Sequence, residues 1–516
     1  MNKLIKSLQW IDNNILKILV IGFIFVIPLY PKLPLQMINY TYVAIRMEDI
    51  YIGIVGLVYL IQFLRGKVVV PWKLALLFGL FWLSVFASYL YGYYVGKTVI
   101  INQLGFLHSV RRVEYMMIFF VVYTTIKSRK DFEIYLQLIL AVVGLVSIYG
   151  IGQKFLGWPA VQTMNPEYAK GYWLVLDAYA RVSSTFAGHY DLAAYLILLI
   201  PITLAYYVHS KNYLFIAIFM LALGTLILTA SRASYLSYLI AVTLFLVYTR
   251  QWKLLLFVFI ATAILTPLSD NLTKRLTRTF QQTKIFVDPE TGEVIVPKDV
   301  RVDNLPVGDF GSKVDTTKVV KSTKPVVVDK KSETEAKKQI RQQIVNEATQ
   351  SGRLLTEEQI SALVESTFGR QIPVTKYLVD ISLSTRFQVE WPRAINAFKK
   401  NPILGTGPSS LTEATDGDYL RWIGETGALG TSLFLGILGT IIVSVWRAAR
   451  KMTKRYSILF YGFIFGFIGL FINASYIDVF EASKVAYTYW LVAGIFMGSL
   501  SLFTKEKASP KELKID

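Results

Sequence analysis

Residues 190–208 read YDLAAYLILLIPITLAYYV, an almost unbroken apolar run with a single charged side chain, Asp191. A helix on the surface of a soluble core repeats its apolar residues every third or fourth position, whereas here they are continuous. The run is close to the ~20 residues a helix needs to cross a hydrocarbon core about 30 Å thick. Two more follow directly, YLFIAIFMLALGTLILTA (213–230) and ASYLSYLIAVTLFLVYT (233–249), and they meet at Ser231-Arg232. Upstream, comparable runs occupy 14–33, 48–64, 72–95, 110–126 and 132–155, and downstream 252–268. After a long gap come 421–446, 456–475 and 483–503. The pattern predicts an all-α polytopic membrane protein of about twelve transmembrane helices, with a large external loop before the last three. Residues 1–268 hold the first nine spans, 269–420 the loop with amphipathic helices, 421–503 the last three spans, and 504–516 a cytoplasmic tail.

Composition agrees. Hydrophobic residues make up 54% of the 516, mean hydropathy is +0.46, and 17% are charged, against about 25% in water-soluble domains. Cysteine is absent, which excludes disulfides, thiolate metal sites and cysteine nucleophiles. The start, MNKLIKSLQWIDNN, is basic and precedes an apolar run, but no small-residue cleavage site follows, so it reads as a retained first span. The net charge of +19 does not indicate a nucleic-acid partner, because the basic residues are strung between apolar runs instead of gathered on one surface.

Those residues instead set topology, since cytoplasmic loops are enriched in Lys and Arg. With the N-terminus inside, the inner connections carry Arg65, Lys67 and Lys73; Lys127, Arg129 and Lys130; Lys211; Arg250 and Lys253; and Arg447, Arg450, Lys451, Lys454 and Arg455. The tail, with Lys505 and Lys507, returns to the cytoplasm. Two long connections, 156–189 and 269–420, then lie outside. Within the second, 287–331 mixes Val, Lys, Asp, Pro and Gly and predicts short strands or loop. SETEAKKQIRQQIVNEA (332–348) and TEEQISALVES (356–366) open as helices do. Residues 386–400 read as an amphipathic helix stopped by Asn401-Pro402.

Several arginines fall on the outer side, at or inside the ends of apolar runs: Arg46, Arg111, Arg112, Arg181, Arg232 and Arg386. A cation so placed costs a few kcal/mol on insertion scales. An external anion would offset that cost, and guanidinium suits phosphate through paired N–H donors. The plainer alternative pairs Arg232 with an acid such as Asp49, Glu114 or Asp191, or lets it snorkel to the headgroups.

Four segments carry a resemblance: RVSSTFAGHYDLAAYLILLIPI (181–202), LTASRASYLSYLIAV (228–242), RFQVEWPRAINAFKKNPILGTGPSSL (386–411) and TDGDYLRWIGETGALG (415–430). They resemble the O-antigen ligase/polymerase superfamily of bacterial envelopes, as do their order and the large loop before the final spans. The resemblance implies a glycosyltransferase of the cytoplasmic (inner) membrane. It would move a glycan from an undecaprenyl-pyrophosphate carrier to a hydroxyl acceptor on the external face, in cell-surface polysaccharide biosynthesis, without cofactor or metal. Arg181, Arg232 and Arg386 would hold the pyrophosphate. Ligases of this kind carry His-Asn where this chain has Asp416-Gly417. The base role therefore passes to Asp416, with Asp418 or Glu425 behind it, since a carboxylate can accept a hydroxyl proton. Arg111, Arg112, His189, Trp391, Gly405, Gly407, Tyr419 and Arg421 would be further substrate contacts.

Each has a structural alternative. Asp416-Gly417-Asp418 spells the metal motif of nucleotide-sugar transferases, but no soluble nucleotide-binding pattern accompanies it. Three histidines (His108, His189, His209) and no cysteine make a poor zinc set. His189 beside Asp191 could be a structural hydrogen bond. Arg421 and Glu425 have the spacing of a helix-surface ion pair. Trp391 and Trp422 sit at the depth of an aromatic belt, and Gly405 and Gly407 suit a tight turn. The competing function is a transporter or flippase of envelope glycolipids, which predicts ionisable residues on both faces.

Overall fold

The computed structural model describes residues 2–37, 44–163, 168–177, 180–277, 280–287, 294–295, 330–350, 355–369, 372–379, 386–411 and 416–504. Two units emerge, one formed by 1–273 with 394–516 and the other by 274–393.

In the first unit each apolar run is a helix, the form in which every backbone group is satisfied within its own segment in lipid. They are α1 (Asn2–Leu29), α2 (Met47–Leu64), α3 (Trp72–Leu90), α4 (Asn102–Thr125), α5 (Arg129–Phe155), α6 (His189–Ser210), α7 (Leu214–Leu228), α8 (Arg232–Tyr248) and α9 (Trp252–Leu265). The short α10 (Asp270–Thr277) follows. Helices α11 (Lys330–Gln350) and α12 (Glu357–Gly369) belong to the second unit, and α13 (Trp391–Lys400) follows. The unit closes with α14 (Asp418–Ala449), α15 (Lys454–Asn473) and α16 (Ser483–Thr504). Among the described residues eight helices are long and apolar enough to cross a membrane, and α7, α8 and α9 are shorter apolar helices. Helix α4 is the charged twelfth, carrying His108, Arg111, Arg112 and Glu114.

The most deeply buried of these is α6, which contains the apolar run 190–208. It packs on α15, where Gly462 and Gly466 let the backbones meet. A Cβ on Gly462 would lie 2.6 Å from that of Ala205, and one on Gly466 would run into the Leu198 carbonyl. Small residues one helical turn apart are how membrane helices approach closely. Gly494 and Gly498 of α16 do the same against Phe119 and Tyr123 of α4.

The helices alternate in direction. At one end α1 finishes beside the start of α2, through Arg65 and Lys67 at the opposite end bonding Asp12, and through Lys32 with Glu48 at this one. Helices α2, α4, α6, α8, α14 and α16 all begin here, where α3, α5, α7, α9 and α15 finish. The far end gathers the basic connections: Lys17 pairs with Asp131, Arg129 donates to the Leu502 carbonyl at 3.2 Å, and His209 meets the Arg455 carbonyl at 2.8 Å. Two short strand pairs cap the first end, β1 (Pro34–Met37) with β2 (Ala44–Arg46), and β3 (Pro159–Ala160) with β4 (Leu174–Val175).

The second unit holds a three-stranded antiparallel sheet, in which β5 (Phe280–Val287) lies between β6 (Val294–Ile295) and β7 (Ile372–Val379). The register of β5 and β7 runs from Phe280 opposite Val379 to Val287 opposite Ile372. Helices α11 (Lys330–Gln350) and α12 (Glu357–Gly369) occur where the cap signals placed them and pack through Ala336, Ile340, Ile360 and Val364. Residues 296–329 of the Val/Lys/Asp-rich stretch lie outside the described residues, as do 505–516 of the expected tail.

Candidate functional site at one end of the helix bundle

The site end is organised by a break in α14. Gly427 has φ 64° and ψ −168° in the middle of that helix, which strands carbonyls before it and amides after it. In a bilayer such groups need partners. Residues 402–407 supply them: Thr406 and Gly407 amides donate to the Gly424 and Glu425 carbonyls at 2.9 Å, and the Pro402 and Ile403 carbonyls accept from Ala428 and Leu429. Ser88 adds a hydroxyl to the Glu425 carbonyl at 2.5 Å. Gly405 (φ 72°) and Gly407 (φ 98°) make the turn. A Cβ on Gly405 would lie 2.5 Å from the Glu425 carbonyl. What these glycines approach is the backbone of α14, so the two motifs 401–411 and 418–430 form one folded device.

That device aims a buried charge network. Glu425 accepts from Arg112 Nη2 at 2.5 Å and from the Ser409 amide at 3.1 Å. Arg112 Nε reaches Glu481 at 2.8 Å, and Trp422 Nε1 donates to the same carboxylate at 3.3 Å. Arg421 lies 2.7 Å from Asp478 and 3.7 Å from Glu425, so its helix-spaced partner is the weaker of two. Burial pushes the Asp478 carboxyl up to about 6, although Arg421 pulls the other way. Burial acts in the same sense on Glu481, but the Arg112 and Arg421 guanidiniums outweigh it and hold that carboxyl below its usual range.

The remaining residues around this start of α14 are also engaged. Asp418 is fully buried and its Oδ2 accepts from the amides of Val479 and Phe480 at 2.7 and 3.2 Å. The Asp416-Gly417-Asp418 triplet therefore does not present two carboxylates to a common ligand. Tyr419 donates to the Phe471 carbonyl and packs on Phe471. Trp422 is buried against Phe434 and Phe480 instead of lying in an aromatic belt. Arg111 donates to the Ala44 carbonyl at 3.1 Å and sits 4.0 Å from Asp49. Glu114 takes a hydrogen bond from Tyr487. Arg111, Arg112 and Arg421 thus have their charge answered inside the fold, and Glu425 is a clamp between two arginines.

A second group sits where α1 ends. Lys32 bonds Glu48 at 2.5 Å and also Ser483, whose hydroxyl reaches Glu48 at 2.8 Å. Burial pulls the Lys32 amine below its ordinary range despite Glu48 beside it. Lys484 caps the Tyr30 and Thr185 carbonyls at 2.6 and 2.7 Å, tying α16 to the end of α1 and to the segment entering α6.

Arg181 differs from the paired arginines. Its Nη1 stands 2.6 Å from Nε2 of buried His189. A guanidinium only donates, so that nitrogen accepts and the ring proton resides on Nδ1. The amide of Val182, next in sequence, donates to the Leu228 carbonyl at 3.3 Å. Leu228 closes α7, and after a tight turn at Ala230 (φ 50°) Arg232 opens α8, half-buried. Ser231 and Ser234 link this turn to Asn473 at the end of α15. Asp416, also half-buried, lies within electrostatic reach of Asp191 and Asp478. Arg386 and Trp391 belong to the second unit, Arg386 as a buried residue of the wide turn 386–390 that precedes α13.

Residues 217–435 match the O-antigen ligase family model, Wzy_C. The match bears out the superfamily resemblance over the span it covers, from α7 through the break in α14. The match supports a membrane glycosyltransferase of O-antigen ligase or polymerase type. Arg232, Arg386, Asp416, Asp418 and Glu425 lie inside the span, and Arg181 and His189 precede it. No curated protein matches the chain. Asp478 and Glu481, the acids that reach Arg421 and Arg112 from another link, were not read from the sequence. SYIDVFEASK (475–484) held the signal, with three charges in a ten-residue link between apolar helices.

Proposed function

We propose that the chain joins a glycan, delivered on undecaprenyl pyrophosphate, to an acceptor hydroxyl at the outer face of the cytoplasmic membrane. The observation that carries this is the placement of Arg181 and Arg232 on adjoining segments, with Arg181 held by the His189 imidazole and, among the described residues, by no carboxylate. Two guanidiniums so placed suit a diphosphate, through the planar forks that match phosphate oxygens. Arg386, the third arginine that the family resemblance implies, belongs to the second unit.

In the reaction the acceptor oxygen forms a bond to the anomeric carbon while the bond from that carbon to the phosphate oxygen breaks. The electron pair leaves on the pyrophosphate, where fixed arginine charge stabilises it. The hydroxyl proton passes to Asp416, the position at which the family resemblance puts the base, whereas Glu425 accepts from Arg112 and Asp418 accepts from backbone amides. Glu425 and Asp418 support the site as parts of its frame.

The test is a reconstitution of the purified protein with polyprenyl-pyrophosphate glycan and envelope acceptors. Glycosylated acceptor and free polyprenyl pyrophosphate are the expected products. Movement of the lipid-linked glycan across vesicles with no new glycosidic bond would instead establish a flippase.

A further inference from the structure

Beside the charge network, sharing Glu481 with it, lies a cavity of about 220 Å³, walled by the ends of α1, α2, α4 and α6 with β2 and the start of α16. Its cations are Lys32, Arg46 and Arg111, and its acids Glu48, Asp49, Asp191 and Glu481. Three positive groups against four carboxylates leave no positive excess, so a diphosphate gains nothing by entering. The wall is nonetheless dense in hydrogen-bonding groups, completed by His108, Tyr115 and Thr163.

Two wall residues carry buried polar atoms without a hydrogen-bond partner among the described residues: Arg46 Nε and His108 Nε2. Arg46 as a whole is 9% exposed. Buried polar atoms are normally satisfied, and leaving one unmade costs about 1–3 kcal/mol. Both atoms belong to side chains that line one polar cavity, so a ligand bound there lies against side chains with unmet hydrogen-bonding capacity. A neutral ring of hydroxyls, each both donor and acceptor, fits a wall of alternating carboxylates and cations. The volume is below the ~300–1,000 Å³ of sites for drug-sized ligands, so it suits a single ring.

We propose that this cavity is the acceptor subsite, and that it takes one neutral sugar ring of a glycan acceptor, with Arg46 and His108 binding ring hydroxyls. This rests on the glycan-transfer function above. Asp191 supplies the connection, because it lines the cavity and lies within electrostatic reach of Asp416. A ring seated there presents its hydroxyl on the side of the base.

The experiment measures transfer by the full chain in lipid nanodiscs, with lipid-linked glycan and acceptor glycan purified from the source cells' envelope. Arg46→Gln and His108→Phe are compared with wild type, and the KM for donor and for acceptor are determined separately. The expected result is a rise of about fivefold or more in acceptor KM for each variant, the size of one lost hydrogen bond, with donor KM unchanged. An unchanged donor KM also shows that each variant is folded. Wild-type transfer with unaltered acceptor KM in both variants, or a rise confined to donor KM, overturns the subsite and leaves glycan transfer standing. Absence of transfer by the wild type overturns the function itself.

Discussion

Arg112 and Glu425, more than three hundred residues apart in sequence, meet at 2.5 Å with both side chains buried, and Arg112 turns a second edge to Glu481. Such a bridge is weak evidence of net stabilisation, but breaking it strands the remaining charges. Arg112→Met leaves the buried Glu425 and the half-buried Glu481 carboxylates without their shared cation and should cost about 3–5 kcal/mol. Glu425→Gln, which keeps an acceptor for Arg112, should cost less. Thermal unfolding in detergent, followed by tryptophan fluorescence, ranks the two.

Asp478 makes stability depend on pH. Its carboxyl is pushed up by burial to about 6 from 3.8, so the folded state binds the proton more tightly than the unfolded chain. The resulting stability is fully present below pH about 4 and lost as pH rises through about 6. Asp478→Asn, which carries no titrating group, should flatten the melting temperature against pH between 4 and 7. An identical slope in wild type and variant removes Asp478 as its source.

The break in α14 gives a paired glycine test. Gly427 holds φ 64°, and a Cβ there would strike the Ile403 carbonyl, so Gly427→Ala should destabilise by about 1–3 kcal/mol. Gly436, farther along the same helix, has nothing within 4 Å of a Cβ. Gly436→Ala should be neutral or stabilise by about 0.5–1 kcal/mol. Melting of the two proteins side by side checks both signs.

Asp416 and Asp418 separate by role. Asp416→Asn should abolish transfer while donor binding and melting temperature stay at wild type. Asp418→Asn should lower the melting temperature, because its carboxylate holds the Val479 and Phe480 amides. A reversal of those two phenotypes would move the base from Asp416 to Asp418.

The spans were legible because a bilayer imposes length and continuity on each apolar run, and because basic residues mark alternate connections. The expected start of α4 at 110 was eight residues late. Asn102–Ser109 interrupts its apolar residues with Asn102, Gln103, His108 and Ser109, yet it is helical, with Gly105 and Ser109 buried. Pairing of β5 with β7 was not legible, since strands from opposite ends of a long insertion register only in three dimensions. Arginine placement was visible as an anomaly, but not its resolution. Asp478 and Glu481 come from a different link of the chain and reach Arg421 and Arg112 only after folding. Asp418 looked catalytic by motif because nothing in the sequence reveals that it caps amides sixty residues away.

The central claim is tested most directly by binding of labelled undecaprenyl pyrophosphate to wild-type protein and to an Arg181→Gln/Arg232→Gln double variant in nanodiscs. A diphosphate gripped by these two side chains requires a loss of affinity of about a hundredfold or more, from two charge-assisted contacts of ~1.5–3 kcal/mol each, with the melting temperature unchanged. Equal affinity in the two proteins would contradict it.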